Sequence, residues 1–166
     1  MADGAPMVFL EKFEHVLDSQ CRVSLQSSWR NRDGETELVL LPTREKALVL
    51  LPLDTFMEFV GRAGRLAIAN PRMQMALSRI GARSKRCRCD RQGRIVLDRA
   101  MLDSIDVADR LVMVGSVTHI RLCSPQVWEE YDRADISGCL DEIQRVCDGD
   151  DGLAGLLSLL GGKGNN

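Results

Sequence analysis

Aromatic side chains are scarce in this chain. They make up 4% of its 166 residues, while hydrophobic residues as a class reach 45%. A core is affordable, and it must be packed mainly from aliphatic groups. No apolar run approaches the ~20 residues that a membrane-spanning helix needs. The opening Met1-Ala2-Asp3-Gly4-Ala5-Pro6 has neither the basic region nor the apolar stretch of a secretory signal, so a cytosolic chain with no membrane partner is expected. The signatures of common catalysts are missing too. There is no G-x-S-x-G, no P-loop and no H-E-x-x-H, so no enzyme, cofactor or small-molecule ligand is expected. Six cysteines are present, at 21, 87, 89, 123, 139 and 147, without any C-x-x-C, and His15 and His119 stand alone. In a reducing compartment these read as free thiols. Cys87 and Cys89 would share one face of a strand, but regular metal-ligand spacing is lacking, so small core side chains are expected and no metal.

Charge does not point one way over the whole chain. The formal net charge is −2, which argues against a uniformly basic nucleic-acid binder. Its distribution is uneven. Residues 79–99 hold eight Lys/Arg and two Asp, and residues 129–151 hold nine Asp/Glu and two Arg. That pattern fits a localised anionic partner, and equally two solvated faces that attract each other.

What the chain does have is a repeated stretch. Asp18-Ser19-Gln20-Cys21-Arg22-Val23-Ser24-Leu25 recurs as Asp90-Arg91-Gln92-Gly93-Arg94-Ile95-Val96-Leu97, 72 residues later. Each copy is an Asp, polar residues, a small residue, an Arg and an alternating apolar run, the pattern of a tight turn feeding a half-buried strand. At the same spacing Leu48 meets Ile120, Leu50 meets Leu122, Phe56 meets Trp128 and Phe59 meets Tyr131. A register kept without a gap over that length reads as an internal duplication.

Taken in order, residues 1–8 read as a tail and 9–17 as a strand. The first turn follows, then a strand over 22–25, a short helix over 26–30 with Ser27 as N-cap, and a hairpin from 38–41 and 47–51. Pro52 opens a helix through Arg65. Asn70-Pro71 opens a second, striped by Met73, Leu77 and Ile80 and ended by Gly81, which links the halves. The second half repeats the plan: strands at 85–89 and 94–97, a short helix capped by Asp98, strands near 111–115 and 118–123, and a helix from Pro125. A helical stripe of Ile136, Leu140, Ile143 and Cys147, a leucine cluster over 153–160 and a glycine-rich end at 161–166 close the chain. The domain plan is therefore tail 1–8, first half 9–56, helical linker 57–82, second half 83–128, and a C-terminal helix with an acidic, glycine-rich tail over 129–166.

At the two Asp-x-x-x-Arg turns the chain resembles the MraZ family of bacterial regulators linked to the division and cell-wall gene cluster. The matching residues are Phe9, Phe13-Glu14-His15-Val16-Leu17-Asp18 and Arg22-Val23-Ser24; Asn70-Pro71-Arg72 and Ile80-Gly81-Ala82; Asp90-Arg91-Gln92-Gly93-Arg94-Ile95; and Val127-Trp128-Glu129-Glu130-Tyr131. The resemblance implies an α+β fold, with two tandem AbrB-like swapped-hairpin halves interlocked into one small β-barrel with flanking helices. It also implies a ring-shaped homo-oligomer that binds double-stranded DNA at repeated promoter boxes, hence a cytoplasmic, nucleoid-associated regulator of transcription. The arginines implicated in DNA contact are Arg22 and Arg94. Where the family has its turn glycine, this chain has Cys21. A positive φ there costs a non-glycine residue about 1 kcal/mol. Gln20 stands at a usually basic position, Gln26 and Asp98 at a usual proline, and the chain beyond Tyr131 has no clear match.

An arginine at the base of a tight turn can fork onto a guanine edge or clamp a phosphate. Arg91, Arg88, Arg86 and Lys85 surround the second turn and would add sequence-independent attraction. Asp18, Asp90 and Gly93 are assigned to the turn structure, since Asp carboxylates accept turn N–H groups. Another reading keeps Arg22 and Arg94 as internal Arg–Asp pairs that stiffen their turns. A third makes the chain an AbrB-type antitoxin or interaction module that binds a partner through its acidic tail. The duplication disfavours it, since a single half that dimerises would serve.

Overall fold

The computed structural model describes residues 7–32, 35–133 and 136–146. The fold is α+β, and every strand pairing in it is antiparallel. In chain order the elements are β1 (Lys12–Val16), β2 (Arg22–Ser24), a single 3-10 turn (Ser27–Trp29), β3 (Glu37–Pro42), β4 (Ala47–Pro52), α1 (Leu53–Ala67), α2 (Pro71–Arg83), β5 (Lys85–Arg88), β6 (Arg94–Val96), α3 (Arg99–Ser104), β7 (Arg110–Gly115), β8 (Ile120–Cys123), α4 (Pro125–Asp132) and α5 (Ile136–Val146). Six strands form one sheet in the order β1-β7-β8-β4-β3-β5, and β2 and β6 form a separate two-stranded ribbon. Among the described residues no pairing joins β1 to β5, so the six-stranded sheet has two edges and is not a closed barrel.

The pairings interlock the two halves. Outside the hairpins β3–β4 and β7–β8, each partnership crosses from one half to the other: β1 with β7, β2 with β6, β3 with β5 and β4 with β8. One correction to the uniform repeat follows from the registers. Phe13 opposes Met113 and its equivalent Lys85 opposes Leu40. Phe13 and Lys85 are 72 apart, but Leu40 and Met113 are 73 apart. The loop bonds agree, since Leu17 N–H donates to Asp109 O and Cys89 N–H donates to Thr36 O, acceptors again 73 apart. The extra residue lies between β6 and β7, where α3 replaces the 3-10 turn. The tighter second hairpin, Gly115 opposite Ile120 against Pro42 opposite Leu48, restores the 72-residue spacing.

Alternation explains the core. Leu38, Leu40, Leu48, Leu50, Leu111, Met113, Ile120 and Leu122 all point to one sheet face and are fully buried. Val23, Leu25, Ile95 and Leu97 from the ribbon segments join them in the same cluster. Each such side chain stabilises the fold by about 1.5–3 kcal/mol. Three of the seven aromatics meet at one place. The Trp29 ring stands edge-on to Phe13 at 5.2 Å and to Phe9 at 6.1 Å, and its Nε1–H donates to Leu10 O at 3.1 Å. Phe9 is a bridge residue to Val117, separated from β1 by Glu11 at φ 72°. The backbone of Phe9 and Leu10 runs so close over Gly115 that a Cβ there would overlap it.

Two helix boundaries differ from those expected. Ser27 lies inside its 3-10 turn, with Gln26 at the cap position and no side-chain cap bond. Gly81 does not end α2, which continues to Arg83 before Ser84 turns extended. The other caps match. Asn70 Oδ1 accepts from Arg72 and Met73 N–H, and Asp98 Oδ1 accepts from Met101 N–H at 3.0 Å. The chain divides into two compact units, one through Pro125 and one from Gln126. In the second, α4 and α5 are the described elements. Cys147, the leucine cluster at 153–160 and the terminal stretches 1–6 and 161–166 lie outside the described residues.

Candidate nucleic-acid interface

The two Asp-x-x-x-Arg turns have one hydrogen-bond plan. In the first, Asp18 Oδ1 accepts from the N–H groups of Gln20 at 2.8 Å and Arg22 at 3.0 Å, and Cys21 N–H donates to Asp18 O at 3.0 Å. In the second, Asp90 Oδ1 accepts from Gln92 and Arg94 N–H, both at 2.9 Å, and Gly93 N–H donates to Asp90 O at 3.0 Å. The other carboxylate oxygen holds the arginine. Arg22 Nε donates to Asp18 Oδ2 at 2.6 Å. Arg94 uses Nε and Nη2 on Asp90 Oδ2, both at 3.0 Å. These donors keep both carboxyls below their ordinary value of 3.8, the backbone N–H of the arginine being the largest cause in each.

The internal Arg–Asp pair is therefore real, and it leaves recognition atoms over. A guanidinium carries five N–H donors. The hydrogen bonds above consume one N–H of each arginine, with Arg94 Nη2 in ion-pair contact beside it, so each retains Nη hydrogens for another acceptor. Both arginines are about a third exposed. The internal pairing fixes the orientation of each guanidinium and leaves it able to contact an outside acceptor.

The ribbon sets where the arginines point. Arg22 opposes Val96, Val23 opposes Ile95 and Ser24 opposes Arg94. Val23 and Ile95 are buried, so Arg22, Ser24, Arg94 and Val96 share the outward face. The two turns thus flank one short ribbon, each arginine at its own end.

Each turn is braced by an arginine from the other half. Arg30, held by Leu25 O at 2.9 Å, lies over Gly93, where a Cβ would overlap its guanidinium. Arg99 donates to the Cys21 Sγ at 3.1 Å and to the carbonyls of Val107 and Ala108. These two arginines escape sequence reasoning, because they are not at equivalent repeat positions and reach the turns only across the interlock. The turn residues themselves have positive φ, 56° at Cys21 and 78° at Gly93. The cysteine does occupy a glycine's conformation.

The remaining basic residues fall into two groups. Arg91 is exposed at the second turn. Arg86 and Arg88, on β5, are committed to acids: Arg86 to Glu37 at 2.8 Å, and Arg88 to Glu37 at 2.9 Å and Glu35 at 3.5 Å. Those hydrogen bonds hold the Glu37 carboxyl below its usual range, Arg86 contributing most. Cys87 is buried, and burial raises its thiol to about 11. Cys87 behaves as a small core side chain.

No family model matches the chain. Individual relatives do, over most of its length. It is 26% identical to the transcriptional regulator MraZ of Mycolicibacterium smegmatis over 141 residues, which covers 83% of this chain and 98% of that protein. It is 24% identical to the transcriptional regulator MraZ of Finegoldia magna (75% and 86% covered) and to that of Bifidobacterium longum (77% and 85% covered). Over most of its length the chain is thus similar to transcriptional regulators named MraZ from several bacteria. The alignments span 127 to 141 residues, more than either half of the duplication alone. Among the described residues, no helix is long and apolar enough to cross a membrane.

Proposed function

We propose that this protein regulates transcription by sequence-specific binding of double-stranded DNA, as a ring of identical subunits on repeated promoter boxes of the division and cell-wall gene cluster. It works at the nucleoid. The observation that carries this reading is the outward face of the β2–β6 ribbon, with one pre-oriented arginine at each end. A two-stranded ribbon fits the major groove of B-DNA, and a guanidinium forks onto guanine O6 and N7. Pinning by Asp18 and Asp90 lowers the entropy lost on contact. Arg91 adds phosphate attraction beside the second turn. Arg86 and Arg88 add less, since Glu37 and Glu35 offset their charge.

The domain plan that accompanies this reading keeps residues 9–56 and 83–128 as the two interlocked halves of one small barrel-like core, left open by the lack of strand pairing between β1 and β5 among the described residues, with 57–82 as linker and 129–166 as tail. Exposed Met57, Phe59, Leu66, Ile68 and Met75 on the α1–α2 hairpin support self-association, since solvent contact with so many apolar groups is unfavourable. Gel-shift titration against the DNA upstream of its own gene, with boxes present and scrambled, tests the function. Box-dependent binding that weakens steeply with salt is expected. Equal binding to both DNAs would remove sequence specificity. Light scattering should report several times the 18.5 kDa chain mass, and a strict monomer at micromolar concentration would end the ring.

A further inference from the structure

The ribbon's outward face is nearly two-fold symmetric, with one break. Arg22 and Arg94 are equivalent in the duplication, and so are Ser24 and Val96, each pair 72 residues apart. Directly opposite residues of an antiparallel pair share a face. Arg22 therefore has Val96 across from it, and Arg94 has Ser24. Ser24 is exposed, and Val96 is 58% exposed. Buried Val23 and Ile95 supply the ribbon's core contacts, so a valine at 96 adds nothing to the packing beneath. Two arginines held in the same way sit in chemically different company.

We propose that Val96 and Ser24 are specificity-determining residues, Val96 packing on a thymine methyl beside the base pair met by Arg22, and Ser24 hydrogen-bonding a base edge beside that met by Arg94. This rests on the DNA reading above and adds the base chemistry that the ribbon selects. The major-groove edges of the four base pairs carry one apolar group, the thymine 5-methyl. A valine side chain has no donor or acceptor, so it discriminates by apolar contact with that methyl and by leaving a polar edge unpaired. A serine hydroxyl both donates and accepts and tolerates several bases. The element read by one subunit is consequently not a palindrome, although an arginine meets each end, Arg22 at one and Arg94 at the other.

The test starts from a random-sequence duplex library enriched with the full-length wild-type chain. Affinity is then measured for the enriched duplex with each thymine replaced in turn by deoxyuridine, which removes the methyl alone. At one position the replacement should weaken wild-type binding by about three- to tenfold. Val96→Ser should bind the thymine and deoxyuridine forms of that duplex equally. Ser24→Val should enrich a more nearly palindromic element and gain a methyl-dependent position at the other arginine. Both side chains are exposed, and unchanged circular dichroism and light scattering should accompany both substitutions. Wild-type methyl sensitivity retained in Val96→Ser, or an unchanged element for Ser24→Val, overturns the inference. A wild-type chain that enriches an element without any methyl dependence loses this inference and keeps the DNA reading. A chain that enriches nothing loses both.

Discussion

The two halves of this molecule build the same turn twice, from the same aspartate and the same arginine, and brace it in two different ways. In the second half the turn residue is Gly93, and the Arg30 guanidinium occupies the space that a Cβ would take. In the first it is Cys21, strained at φ 56° but in hydrogen-bond contact with Arg99 through its Sγ. Glycine and cysteine answer one backbone demand from opposite directions: glycine avoids the strain, and cysteine accepts it while supplying a sulfur that the bracing arginine can reach. The polar tips differ as well. Ser19 stands where the second turn has Arg91, so the second turn has an additional exposed charge. A duplication keeps a geometry while its two copies drift in chemistry.

The largest effect should come from removing an arginine. Arg94→Ala deletes a contact worth about 1–3 kcal/mol. In a ring the loss repeats in every subunit, and avidity multiplies it. Binding to DNA with four boxes should therefore collapse further than binding to one box, while light scattering shows an unchanged oligomer. Arg22→Ala should do the same or somewhat less, because its turn lacks a counterpart of Arg91. Undiminished four-box binding by Arg94→Ala would remove this turn from the interface. A dissociated oligomer would make the arginine structural.

Gly93→Ala should come next. A side chain at φ 78° costs about 1–2 kcal/mol and displaces Arg30 as well, so the thermal midpoint should fall by several degrees. A wild-type midpoint would mean that Arg30 moves aside without loss.

A smaller effect is expected in acid. Both aspartates have pKa values held below 3.8 in the folded chain, so they favour folding above that value and lose the contribution as pH falls through and below it. Their carboxylates are open to water, so the change should be slight. Asp90→Asn should lower the thermal midpoint slightly at pH 7 and flatten its fall below pH 4, so that variant and wild type converge in acid. An unchanged acid slope in that variant would show that the pair does not titrate with folding.

Cys21→Gly should change least. Relief of backbone strain and the added freedom of the unfolded chain offset each other at about 1 kcal/mol apiece. DNA affinity should stay the same or rise, and thermal stability should barely move. Abolished binding would mean that the Arg99–Sγ contact, and not the backbone, positions Arg22.

Local chemistry was legible in the residues themselves. An Asp four positions before an Arg with a small residue between them has few ways to satisfy its acceptors, so both turns, the hairpins at Pro42–Ala47 and Gly115–Ile120, and the caps at Asn70 and Asp98 could be anticipated from spacing. So could the aliphatic core, because period-two alternation puts alternate residues on one face whatever the sheet order. Three things depended on the tertiary structure. The extra residue between β6 and β7 is invisible in a constant offset, since the shorter second hairpin cancels it. The bracing by Arg30 and Arg99 joins groups 63 and 78 positions apart, at sites the repeat does not equate. The outward grouping of Arg22, Ser24, Arg94 and Val96 exists only because β2 pairs with β6 in one particular register. A one-residue slip would turn one strand's side chains over relative to the other's. Short-range hydrogen bonding and periodicity act within a few residues and can be read along the chain. Register between strands of different halves is decided by which packing buries Val23 and Ile95 together, and that is a property of the folded molecule.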